Sequence, residues 1–115
     1  MERFSEKVYL QLKMPTEEVS VSDEKRIRLA LETLGYQSVT LPLKVLRKLY
    51  PLCRNANFDI TVSLVSADGH WIITDVEAGD TRAQHYGLAV DYGSTTIVMA
   101  LIDMNSGSVI DQARL

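Results

Sequence analysis

Cysteine occurs once in these 115 residues, at Cys53. No internal disulfide can form, and a lone thiolate cannot by itself hold a zinc ion or an iron–sulfur cluster. Cys53 is read as a buried thiol in a reducing compartment. A surplus of positive charge is also lacking, since the formal net charge is -3 and the pI is near 5.3. The chain therefore has no general attraction for phosphate backbones or anionic lipid, and nucleic acid is excluded as a main partner. No apolar run approaches the roughly 20 residues that span a bilayer, and "MERFSEKVYL" puts charges where a secretory leader has its apolar stretch. No membrane partner is expected, and the expected location is cytoplasmic. Internal repeats and low-complexity tracts are absent as well. What is present is 46% hydrophobic and 23% charged residues, the balance of a packed globular chain. The length suits one ordinary domain, or a small domain with part of another, and is too short for a complete multi-lobed enzyme.

The segment "EKVYLQLKMP" alternates, with Val8, Leu10, Leu12 and Met14 on one face, and predicts a half-buried strand stopped by Pro15. In "TEEVSVSDEKRIRLALETLGY", Ser20 or Ser22 can cap a helix, acids fill its first turn, and Gly35 ends it. Ile27, Ala30, Leu31 and Leu34 form its apolar side. "TLPLKVLRKLYPLCRNAN" predicts a second helix opening at Pro42, with Leu43, Leu46, Leu49 and Tyr50 along one side and a kink or new turn at Pro51. Lys44, Arg47 and Lys48 form a basic face, read as solvated surface or as a docking site for an acidic partner. "FDITVSLV" and "HWIITDVEAG", joined at Ala67-Asp68-Gly69, read as a β-hairpin. Asp59, Asp75, Glu77 and His85 are scattered and read as surface, and His70 beyond the hairpin tip as unremarkable. The expected fold class is α+β, a small strand–helix–helix–strand–strand domain followed by an antiparallel β-meander. The expected domains are residues 1–80 and 81–115.

In that meander, "LAVDYG" and "TTIVMALIDM" are almost continuously apolar, the pattern of strands covered on both faces. "NSGSVIDQAR" adds a turn and a third strand. The first turn, "DYGSTT", suits a polyphosphate. Gly93 allows close backbone approach, successive amides can form an anion-binding concavity, and Ser94, Thr95 and Thr96 add hydroxyls. Asp91, closing an apolar strand, suits a magnesium ion held through its waters. Asp, Gly and Ser are equally common in ordinary hairpin turns, so the residues alone leave both readings open. The loop is neither a Walker loop nor a G-x-G-x-x-G fingerprint.

The strand–"DYGSTT"–strand–"MNSGSVI"–strand arrangement resembles the first phosphate hairpin of the actin, sugar-kinase and Hsp70 superfamily. The wider stretch "ITDVEAGDTRAQHYGLAVDYGSTTIVMALIDMNSGSVIDQA", with the "LPLKVLRKL" helix before it, is similar to one branch, the reductive activators of corrinoid proteins. The resemblance implies that residues 1–80 are that family's middle domain and 81–115 the opening hairpin of its ATPase domain. It assigns Asp91 to metal orientation and Gly93, Ser94, Thr95 and Thr96 to the ATP phosphate loop. Tyr92 stands where the family often has isoleucine, a change of side chain and not of loop backbone.

The resemblance further implies, for an intact protein, ATP-driven reduction of an inactive Co(II) corrinoid to Co(I) for methyl transfer. ATP and magnesium would be its cofactors, together with a [2Fe-2S] cluster in an N-terminal ferredoxin-like domain that this chain lacks. The implied partner is the corrinoid protein of a methyltransferase system. The chain itself is expected to be a non-catalytic fragment making at most weak phosphate contacts. Its meander is expected to dock on its own small domain, to self-associate or to stay mobile. Two alternatives stay open: a fragment of another ATPase or kinase of the superfamily, and a free-standing interaction or oligomerisation module.

Overall fold

The computed structural model describes residues 4–16 and 21–115, which fall into two units, Met1–Arg82 and Ala83–Leu115. The first unit contains β1 (Ser5–Gln11), α1 (Asp23–Thr33), β2 (Val39–Thr40), α2 (Leu43–Asn55), β3 (Asp59–Ala67) and β4 (His70–Ala78). The second contains β5 (Tyr86–Tyr92), β6 (Ile97–Asp103) and β7 (Val109–Arg114). The α+β class is found, with the meander after the mixed unit. One element is added to the expected series, the two-residue β2, which pairs in parallel with β4 through Val39–Trp71 and Thr40–Ile72.

The sheet of the first unit has the order β1-β3-β4-β2. Its alternation sorts the side chains. Leu10 lies opposite Ile60, Val8 opposite Val62, Val62 opposite Val76 and Leu64 opposite Ile73. These residues, with Ile27 and Leu31 of α1 and Val45, Leu49 and Cys53 of α2, form one hydrophobic core. A register shift at Ser63/Leu64 leaves Thr74 as the extra residue on β4, so both sides of that strand keep their facing. The β3–β4 connection is a two-residue turn in which Asp68 and Gly69 have φ of 50° and 80°. Such paired positive values match the strand twist of a tight hairpin, and Asp-Gly tolerates them best.

Helix α1 starts where expected. Ser22 is its cap and the Ser22 hydroxyl accepts from the Lys25 amide at 3.1 Å; Ser20 lies outside the described residues. Ile27 and Leu31 are fully buried, whereas Leu34 follows the last turn and is 57% exposed. The Gly35 amide donates back to the Glu32 carbonyl with the residue at φ 96°, which ends the helix. Met14, expected on the inner face of the first strand, is likewise exposed because β1 ends at Gln11. Sequence reasoning missed Arg26, 8% exposed, which donates to the carbonyls of Lys13 and Val21. It ties α1 to the chain leaving β1.

The phase of α2 differs from expectation. Its buried row is Val45, Leu49 and Cys53, with Leu46 and Leu52 partly buried, while Leu43 and Tyr50 are 60% and 65% exposed. Leu49 is common to both rows. The helix runs through Pro51, where one intrahelical hydrogen bond must be missing. Lys48 pairs with Asp75 of β4, and Arg54 donates to Asp23 of α1 at 2.8 Å. Burial pushes the Cys53 thiol above its ordinary pKa, as an apolar setting disfavours the thiolate.

On the opposite sheet face, Thr61 is fully buried; its hydroxyl donates to the Gly79 carbonyl at 2.6 Å and accepts from the Thr81 amide at 2.9 Å. Lys7 joins Glu77 at 2.7 Å beside it. Arg82 is bonded to Asp80 and lies over the Tyr9 ring.

Two outcomes are expected. In urea denaturation, Leu49→Ala costs about 2–5 kcal/mol through the cavity it leaves, whereas Leu43→Ala stays within about 0.5 kcal/mol; equal costs would refute the observed helix phase. The Tyr36 phenol is pushed up to about 12, chiefly by burial and then by its hydrogen bond to the Glu6 carboxylate. The folded chain thus holds that proton more tightly than the unfolded one, whose tyrosines ionise near about 10. The resulting stability is complete below pH ~10 and is lost as pH rises through about 12. Tyr36→Phe should flatten the alkaline fall in urea midpoint over that window, and a variant curve parallel to wild type would contradict it.

Candidate functional site

The second unit is a three-stranded antiparallel sheet of order β5-β6-β7. Tyr86, Leu88, Val90 and Tyr92 lie opposite Asp103, Leu101, Met99 and Ile97, so these eight share a face. Gly87, Ala89 and Asp91 share the other with Ile102, Ala100 and Val98. Central β6 is the better covered strand, but Leu88 is 65% and Tyr92 75% exposed. The expectation of strands covered on both faces is therefore not met on β5 or β6, since neither has a buried residue and their unit contains, among the described residues, no further helix or strand to lie over the sheet. His85, expected at the surface, is 7% exposed, and its carbonyl accepts from the Met104 amide. The Met104 side chain lies over Gly87, where a Cβ would stand 2.7 Å from its sulfur and would require that flexible side chain to shift.

Asp91 and Tyr92 close β5, Ile97 opens β6, and Gly93, Ser94, Thr95 and Thr96 form the four-residue connection. The Gly93 amide donates to the Thr96 carbonyl at 2.7 Å, which closes the loop at its base. A Cβ on Gly93 would lie 3.1 Å from that same oxygen, so the loop is drawn tight around a residue without a side chain. Beyond the closure, the amides of Ser94, Thr95 and Thr96 donate to no backbone carbonyl among the described residues. Three successive unpaired donors with three hydroxyls at an exposed tip form an arrangement that can receive phosphate oxygens. The Asp91 carboxylate is exposed at the last-but-one position of β5, opposite Val98, and enters no ion pair among the described residues.

The five residues Asp91, Gly93, Ser94, Thr95 and Thr96 are thus brought together by one hairpin. The donor set fits a polyphosphate, with Asp91 available to the waters of a magnesium ion. It does not fit an iron–sulfur cluster, since Cys53 is the chain's single cysteine and is fully buried. Among the described residues no group of three or more His, Cys, Asp or Glu side chains is placed to hold a metal, and no helix is long and apolar enough to cross a membrane.

Comparison with known proteins bears on both units. No curated protein matches the chain. Among solved structures, the chain is similar to one titled "Reductive activator for corrinoid, iron-sulfur protein", at 26% identity and a TM-score of 0.79. That match covers 99% of this chain and 18% of the other, so the chain spans about a fifth of its structural relative. Residues 1–83 match the family described as the RACo linker region. Because the match takes in the whole β1–β4 unit and well over half of the sequence, the chain belongs to the RACo linker family.

Proposed function

We propose that this chain supplies part of an ATP-dependent reductive activator of corrinoid proteins. Residues 1–80 serve as its middle domain and 81–115 as the first phosphate hairpin of an actin-like ATPase domain. The observation that carries the reading is the "DYGSTT" loop, with three unpaired amides beyond its closure, following directly on a RACo linker unit. The structural relative's printed role, activation of a corrinoid, iron–sulfur protein, supports the choice of partner.

In this reading the amides and hydroxyls of Ser94, Thr95 and Thr96 receive phosphate oxygens. Gly93 keeps the approach clear, and Asp91 holds waters of the magnesium ion. Each such contact would be charge-assisted, an N–H donating to an anionic oxygen. ATP, when bound, supplies the free energy that makes reduction of Co(II) to Co(I) proceed. One hairpin presents a single wall and leaves the nucleotide largely in water, so affinity of the isolated chain for nucleotide is low. Electron delivery lies outside these residues.

Titration of the labelled chain with magnesium ATP, followed by amide NMR, should shift the Ser94–Thr96 signals at roughly millimolar affinity. Gly93→Val should abolish the shifts by crowding the Thr96 carbonyl. In a complete activator carrying this segment, Asp91→Asn should slow ATP-dependent formation of Co(I) on the order of 100-fold, the scale of losing one well-placed electrostatic group. Shifts scattered away from the loop, together with unchanged Co(I) formation, would refute the proposal.

A further inference from the structure

The stretch 43–55 contains Lys44, Arg47, Lys48 and Arg54 and no carboxylate, in a chain whose net charge is -3. Positive charge is therefore concentrated on α2. At 100° per residue, Leu43, Arg47, Tyr50 and Arg54 fall in a single row, with Lys44 and Pro51 beside it. This row lies away from the buried Val45, Leu49 and Cys53 positions. Leu43 is 60% and Tyr50 65% exposed, an uncommon pair of large apolar groups on the outward side of a helix that already buries another row.

The charges divide into two kinds. Lys48 is held by Asp75 and Arg54 by Asp23, so these two brace the helix against the rest of its unit. Arg54 also lies over the Tyr50 ring, 3.5 Å from its centroid, and so restrains it. Lys44 and Arg47 enter no ion pair among the described residues. Tyr50 and the arginines beside it are residue types enriched at interfaces, and Lys44 and Arg47 lack the alternating carboxylates of an ordinary solvated helix face.

We propose that this outward face of α2 is the docking surface for an acidic patch on the corrinoid protein partner, an inference that rests on the activator reading above. Leu43 and Tyr50 supply the apolar contact. Lys44 and Arg47 steer the approach and set its salt dependence.

The test measures binding of the purified corrinoid protein to the full 115-residue chain at low and high salt. Lys44→Glu combined with Arg47→Glu should raise Kd on the order of tenfold or more and remove most of the salt dependence. Leu43→Ser with Tyr50→Ala should weaken binding to a similar extent, roughly tenfold, without changing the salt slope. Lys13→Glu, an exposed charge reversal elsewhere in the same unit, should leave Kd unchanged. All three variants change only exposed side chains, and circular dichroism verifies that each is folded. Binding that ignores the α2 variants overturns the docking surface and leaves the activator reading standing. No binding by the wild-type chain overturns the docking surface too, and the Co(I) assay then decides whether the activator reading falls with it. Binding through α2 to phosphatidylserine vesicles in place of the protein would assign the face to a membrane and also overturn the proposal.

Discussion

Strand β3 uses both of its faces, and the first unit is organised around that constraint. Ile60, Val62 and Leu64 point toward the helices and are fully buried, while Thr61, between them in sequence, is fully buried on the other side. A polar side chain can be enclosed only when its hydrogen bonds are supplied. The Thr61 hydroxyl is supplied twice by the chain leaving β4, giving to Gly79 and receiving from Thr81. The strand that carries the core thereby also directs the exit of the polypeptide. Lys7, whose side chain is 10% exposed, adds a charge-assisted contact to Glu77 across the same patch. Core packing and the course of the connector are therefore set by alternate residues of a single strand.

The elements legible in the sequence were those with a clear period and chemically marked ends. Alternation gave β1, β3 and β4, Ser22 and Gly35 bracketed α1, and Asp68-Gly69 supplied a hairpin turn that few other pairs accommodate. The phase of α2 was not legible, because "LKVLRKLYPLC" contains two overlapping apolar rows that share Leu49. Local sequence does not choose between Leu43 with Tyr50 and Val45 with Cys53; packing against α1 and β4 does. Strand β2 was hidden for a related reason. Two residues have no period, and Val39 and Thr40 are extended because β4 offers them a free edge. His85 read as a surface residue and Arg26 was not singled out, since their burial depends on segments distant in sequence or on backbone contacts that residue type does not reveal.

The "DYGSTT" loop illustrates the same division at the candidate site. That Asp91 ends a strand and that Gly93 to Thr96 connect it to the next could be seen in the change from apolar to small polar residues. The closure of Gly93 on the Thr96 carbonyl could not, and it is this bond that determines which amides stay unpaired. A turn of identical composition with a different hydrogen-bond pattern would present fewer donors. Chemical identity thus narrows the kind of ligand, whereas loop geometry decides how many contacts such a ligand can make.

Cys53, at the seam between α2 and the sheet, is fully enclosed and has its thiol pKa raised. An alkylating reagent can reach the sulfur only in molecules whose helix has lifted from the strands, and the enclosed thiol ionises less readily than a free one. Its modification rate is then the product of an opening equilibrium and the intrinsic reactivity of a solvated cysteine. The single cysteine that cannot build a metal centre therefore serves as a built-in clock for local unfolding where α2 packs on the sheet.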